Sequence, residues 1–149
     1  MKDGPDTPIE LRARALRLLA RREHSRAELG RKLSPHAKTP EALEVLLIDL
    51  EKRKQLSDER FASERARTLS RKYGAGRIRQ DLKAKGVDAQ LIDGISPEGE
   101  LERARAILER KYRTPAATRD ERAKRMRFLQ GRGFSFDIIR SLLSSREAD

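Results

Sequence analysis

Two stretches of this chain place the same classes of residue in the same order around a glycine. Leu82, Gly86, Val87, Asp88 and Ile92 form the first, and Leu129, Gly133, Phe134, Ser135 and Ile139 form the second. Glycine is preferred at the left-handed position just past a helix because it has no Cβ to clash there. The apolar residue after it can fold back onto the leucine one turn inside the helix, the contact that accompanies a Schellman turn. The Asp or Ser that follows can cap a new helix, and the apolar residues flanking that cap make a hydrophobic staple. A chain that repeats this turn repeats the helix pair around it, so the sequence specifies a helical repeat protein. A third copy is expected upstream, with Pro35 and Pro40 standing in place of the glycine turn.

The remaining helix signals fall around these turns. After a short polar arm, Met1 to Asp6, Thr7 can cap a helix with Pro8 at its first position and Glu10 closing a capping box. Its inward stripe is Leu11, Ala15, Leu18 and Leu19, and it ends near Glu23. Ser25 with Glu28 predicts a second capping box, and Thr39 with Pro40 starts a third helix carrying Leu43, Leu46, Leu47 and Leu50. Ser57 opens a helix with Phe61, Ala62, Ala66 and Leu69 on one face, which Gly74 is expected to stop; the next runs from about Gly76. Ser96, Pro97 and Glu98 open the last group, Thr114 to Thr118 reads as a flexible joint, and SSREAD frays. The expectation is an all-α fold, a solenoid of three tandem three-helix repeats at 1–56, 57–96 and 97–149, with nine helices and no sheet.

Composition bears on shape and partners. Apolar residues are 36% of the 149 and charged residues 40%, so helices of this period can bury only thin local cores, and an elongated array is expected. The net charge is +11, with an excess of +4, +3 and +4 over the three segments, so the basicity is not confined to a tail. Every module then contributes to a positive surface suited to a polyanion or to an assembly that contains one. The chain has no Cys, no signal-peptide core and no apolar run approaching the roughly 18 residues of a membrane span. These features predict a cytoplasmic protein that binds no membrane, and with no long exposed apolar face evident in the sequence a monomer is expected.

Catalytic signals are lacking. His24 and His36 do not have the spacing of a zinc-binding helix, no Cys could complete such a site, and His24 beside a predicted cap reads as a local structural or solvent-facing residue. Gly74, Ala75 and Gly76 lack the strand and GK[ST] ending of a phosphate loop and read as a helix break. Neither a metal nor another cofactor is implied, and the chain is not expected to be an enzyme. The basic residues do cluster: Arg71, Lys72, Arg77, Arg79, Lys83 and Lys85 lie on both sides of Gly74, and Arg122, Lys124, Arg125, Arg127 and Arg132 occupy the corresponding part of the last module. Phe136, Tyr73 and Tyr112 are the aromatic residues expected at the surface, too few for a base-stacking platform. The helix pairs resemble helix-turn-helix units, but DAQLIDGIS has no Lys or Arg with which a recognition helix would meet DNA.

Several stretches can be matched together. ALRLLARREHSRAELGRKL at 15–33, LSDERFASERA at 56–66, YGAGRIRQDLKAKGV at 73–87 and RFLQGRGFSFDII at 127–139 resemble, in order, the signature segments of the RecX family of bacterial recombination regulators. The resemblance implies a curved array of three three-helix repeats. It also implies a negative regulator of recombination and DNA repair that binds the RecA recombinase, chiefly as a filament on single-stranded DNA, and inhibits its ATP hydrolysis and strand exchange. The mechanism so implied is occupation of the filament groove or promotion of disassembly. Asp58, Phe61, Ala62, Gly86 and Gly133 match architectural positions of the family. Charge and nearness to the matched motifs put recombinase or DNA contact on Arg21, Arg22, Arg71, Lys72, Arg77, Arg79, Lys83, Lys85, Arg125 and Arg132. The competing reading is a general basic DNA-binding architectural protein; contact with single- or double-stranded DNA is expected to be weak and salt-dependent.

Overall fold

The computed structural model describes residues 4–95 and 99–144. The expected helix opening at Ser96, Pro97 and Glu98 and the fraying of residues 145–149 lie outside the described residues. Among those described, all regular structure is helical: α1 (Pro8–Arg21), α2 (Arg26–Leu33), α3 (Pro40–Lys52), α4 (Asp58–Leu69), α5 (Ala75–Ala84), α6 (Ala89–Asp93), α7 (Glu100–Lys111), α8 (Arg119–Gly131) and α9 (Phe136–Ser144). A single 3-10 turn, Ser34–His36, separates α2 from α3. The chain forms two compact units. One takes the described residues up to Glu64 together with Leu82–Ile92, and the other takes Arg65–Asp81 together with the described residues from Asp93 onward. The segment 57–96 thus contributes to both.

In the first unit the capping signals set the helix starts. Thr7 Oγ1 accepts from the Glu10 amide at 3.2 Å while Glu10 accepts from the Thr7 amide at 3.0 Å, closing the box. Leu11, Ala15, Leu29, Leu33, Leu46, Leu47, Leu50 and Leu56 then form one buried cluster, against which Leu18, Leu19 and Leu43 pack. The second box forms only by half. Ser25 Oγ accepts from the Glu28 amide at 3.1 Å, but the Glu28 carboxylate turns to the Arg22 guanidinium in a two-pronged pair at 2.8 and 3.0 Å. The amide of Arg26, near the start of α2, is satisfied instead by Asp58 Oδ1 at 2.7 Å, a carboxylate borrowed from the first turn of α4. Asp6, expected in a polar arm, is buried and holds Arg14 at 2.8 Å.

Both glycine turns close as the sequence predicts. Gly86 has φ +81°, its amide donates to Lys83 O at 3.0 Å, and the Val87 amide donates to Leu82 O at 3.0 Å. Gly133 has φ +93°, with the corresponding bonds to Gln130 O at 3.0 Å and Leu129 O at 3.2 Å. Val87 with Ile92, and Phe134 with Ile139, are the buried staples. In the first repeat Leu33 and Leu43 keep the same ten-residue spacing and Thr39 caps the next helix, but Ala37 occupies the glycine place with φ −80° and the 3-10 turn makes the corner. A further left-handed turn ends α3, where Lys54 has φ +61°. Its amide donates to Glu51 O at 3.0 Å and that of Gln55 to Leu50 O at 2.9 Å, the same closure made without glycine.

The second unit buries Ala104, Ile107, Leu108, Leu129, Phe134, Ile139 and Leu142 between α7, α8 and α9. Thr118 caps α8 by accepting from the Glu121 amide at 3.1 Å. One expected boundary moves. Helix α4 ends at Leu69 rather than at Gly74, and Gly74 serves a close approach: a Cβ there would lie 2.7 Å from the carbonyl carbon and oxygen of Gly133. The Gly74 amide donates to Arg132 O at 2.7 Å and that of Gly76 to Gly133 O at 3.0 Å, so the entry to α5 is bonded directly to the α8–α9 turn.

Candidate functional site

The segment between α4 and α5, residues 70–74, is held by α7. Arg103 Nη1 donates to Ser70 O and Tyr73 O, each at 3.3 Å, and Arg110 Nη2 donates to Arg71 O at 2.9 Å. Cations belong at these carbonyls, where the preceding helix ends. Glu100 Oε1 accepts from the Ala75 amide at 2.9 Å and so caps α5 from a neighbouring helix. With the two amide bonds to the α8–α9 turn, this frame fixes the backbone from which Arg71, Lys72 and Arg77 project.

The result is a cationic cleft of about 350 Å³, lined by Arg71, Lys72, Tyr73, Ile107, Arg110, Lys111, Phe128 and Arg132. Tyr73 is an anchor rather than a stacking platform: the guanidinium carbons of Arg77 and Arg132 lie 4.9 and 5.4 Å from its ring centre. Arg132 also lies 5.2 Å from the Phe128 ring and Lys111 Nζ lies 5.0 Å from it. Such contacts hold a cation in place without neutralising it. Among the described residues, none of Arg71, Lys72, Arg77, Lys111 and Arg132 has a carboxylate within ion-pair distance. Elsewhere in this unit Asp81 pairs with Arg65 at 2.9 Å and Asp137 with Arg140 at 3.1 Å. The site therefore combines fixed positions with uncompensated charge, which suits phosphates or carboxylates.

The ten sequence-predicted contact residues divide into three groups. Arg71, Lys72, Arg77 and Arg132 come together at this cleft, and Arg79 is exposed on α5 of the same unit. Arg21, Arg22, Lys83 and Lys85 belong to the first unit; Arg22 is paired with Glu28, and Lys85 supplies its carbonyl to the Ser25 hydroxyl at 2.6 Å. Arg125 is the correction. It is only 5% exposed, it lies 4.6 Å from the Tyr112 ring centre, and its Nε and Nη1 are buried without a hydrogen-bond partner, so its head is not presented to a ligand. It faces inward because α8 turns Arg125 and Leu129, four residues apart, onto the buried side. Arg110 and Lys111 were missed, since only the packing of α7 beside residues 70–73 brings them to the cleft. Tyr112 and Tyr73, expected exposed, are half-buried, while Phe136 is exposed as expected.

His24 takes the local structural role of the two expected for it, not the solvent-facing one. It is buried, its Nδ1 lies 3.1 Å from Arg22 O as a donor would, and its Nε2 lies 3.0 Å from Lys32 Nζ, from which it can accept only when neutral. Burial pushes its pKa below the ordinary value, with the Arg22 and Lys32 cations acting in the same direction and the Arg22 carbonyl opposing. The Arg22 guanidinium holds Glu28 down to about 2, against the opposing effect of burial. This is a structural corner, with no metal-binding cluster of His and carboxylates among the described residues.

An all-helical repeat fold that holds a cluster of cations in fixed positions is an arrangement suited to binding anionic groups. Family comparison narrows it. Residues 57–94 match "RecX, second three-helix domain" and residues 98–143 match "RecX, third three-helix domain". Regulatory protein RecX of Herbaspirillum seropedicae is 43% identical over 148 residues, 97% of this chain and 96% of that protein. Regulatory protein RecX of Leptothrix cholodnii is 44% identical over 138 residues, 91% and 88% of the two chains. The crystal structure of RecX from Lactobacillus salivarius superposes with a TM-score of 0.83 at 19% identity, over 95% of this chain and 97% of that one, a likeness of fold. The chain belongs to the RecX family of regulatory proteins. No described helix is long and apolar enough to cross a membrane.

Proposed function

We propose that this protein is a negative regulator of recombination that binds the RecA recombinase, chiefly as its filament on single-stranded DNA, and lowers ATP hydrolysis and strand exchange. The observation that carries the reading is the cleft of the second unit, whose Arg71, Lys72, Arg77, Lys111 and Arg132 lack acidic partners among the described residues while α7 and the α8–α9 turn hold their backbone. A nucleoprotein filament offers such cations both acidic side chains and DNA phosphates. Regulation here is physical occupation: a protein that binds a blocked or disassembling filament more tightly than the active one shifts the population by that difference in affinity.

The second reading, a general DNA-binding protein, is favoured by the net charge of +11 spread along the chain. Salt separates the two, because affinity that comes from phosphate neutralisation falls steeply as salt rises, whether or not the recombinase is present. The test is DNA-dependent ATP hydrolysis by the cognate recombinase, titrated with this protein at fixed DNA and moderate salt. Inhibition that excess DNA does not relieve supports action on the filament; no inhibition, or inhibition abolished by excess DNA, moves the assignment to DNA binding alone.

A further inference from the structure

Helix α1 carries two apolar faces, and its fold uses only one. Leu11, Ala15, Leu18 and Leu19 turn toward the core, whereas Ile9, Ala13, Leu16 and Ala20 fall at i, i+4, i+7 and i+11 on another side. On that side Ile9 is 83% exposed and Leu16 is at the surface. Helix α3 does the same, with Val45 68% exposed and Ile48 also outward. Between them lies a groove of about 350 Å³ walled by Pro8, Ile9, Leu11, Ala42, Val45 and Leu46. Two apolar stripes bordering one groove form the receiving half of helix-in-groove recognition.

The charges around the groove select the occupant. Two of the acids near it are neutralised within the chain, Asp6 by Arg14 and Asp49 by Arg12. Arg17 and Arg21, beside the α1 stripe, and Lys38, at the groove itself, are exposed and have no acidic partner among the described residues. A second copy of this chain would bring +11 against +11, which opposes self-association through this face. We infer that the groove between α1 and α3 docks an amphipathic helix of another protein, one whose apolar stripe is flanked by acidic residues. Glu41 lies one turn before Val45, so the acidic flank of the occupant runs along α1 rather than α3.

Fluorescence anisotropy with the full chain tests this, using a labelled synthetic helix that carries leucines on one face and glutamates beside them. Its counterpart with lysines for glutamates is the charge control, and Ile9→Glu with Val45→Glu is the groove control. Both replaced side chains are largely in solvent, so circular dichroism should be unchanged by the double variant. Saturable binding of the acidic peptide, weakened roughly tenfold or more by either control, is the expected result. Failure of the acidic peptide to bind, equal binding of the two peptides, or undiminished binding to the double variant would overturn the inference. So would a concentration-dependent dimer in sedimentation that the double variant abolishes, because the occupant would then be a second copy.

Discussion

Gly131 and Gly133 stand two residues apart, and the structure assigns their alanine variants opposite signs. A Cβ at Gly131, the last residue of α8, meets nothing within 4 Å, so Gly131→Ala should gain about 0.5 to 1 kcal/mol from reduced unfolded-state freedom and better helix propensity. At Gly133, φ is +93°, where an L side chain costs about 1 to 2 kcal/mol. The new Cβ would also lie 2.5 Å from the Arg77 amide nitrogen and Cβ, so α5 must move. Movement there strains the Gly74 bond to Arg132 O and the Gly76 bond to Gly133 O, each worth about 0.5 to 1.5 kcal/mol. Gly133→Ala should therefore lose about 2 to 5 kcal/mol. Urea unfolding followed by circular dichroism on the three proteins measures both changes. A Gly133→Ala protein within about 0.5 kcal/mol of the parent, or a Gly131→Ala protein the less stable of the two, would refute the account of this turn.

Arg125→Met should leave stability unchanged or raise it, since it removes a buried cation with two unpartnered nitrogens and keeps an unbranched chain against Tyr112; thermal unfolding checks this. Lys54→Gly should stabilise by about 0.5 to 1 kcal/mol in the same assay, by relieving the left-handed lysine that ends α3. Acid should weaken the corner of His24 and Glu28 in two windows. His24 has a depressed folded pKa, so the unfolded chain binds more protons and stability falls as pH drops below about 6.5; Glu28 adds a second loss as pH falls from about 4.5 toward 2. Urea midpoints measured against pH should show both slopes in the parent, with His24→Asn losing the upper one and Glu28→Gln the lower.

Local chemistry makes much of this fold legible in the sequence. Thr7, Thr39, Ser57, Asp88 and Ser135 announce helix starts because caps act through bonds spanning two or three residues, and Gly86 and Gly133 announce ends because only glycine takes those angles without strain. What depends on a distant partner was hidden. Gly74 looks like a helix stop, yet its constraint is the Gly133 backbone; Glu28 looks like a capping-box acid, yet Arg22 claims it. The candidate site shows the same division. Its charge was visible in Arg71, Lys72, Arg77 and Arg132, whereas the contribution of Arg110 and Lys111 and the withdrawal of Arg125 arise from how α7 and α8 pack.

The central claim is that the cations of this cleft grip a recombinase filament, and the Arg71→Glu, Lys72→Glu double variant tests it most directly. Both side chains are exposed and without acidic partners among the described residues, so the fold should survive and circular dichroism should match the parent. The account predicts that about tenfold more of the variant is needed to halve ATP hydrolysis by the filament at moderate salt, a change of about 1.4 kcal/mol in binding. Equal inhibition by parent and variant would contradict it and would place the grip on another surface of the chain.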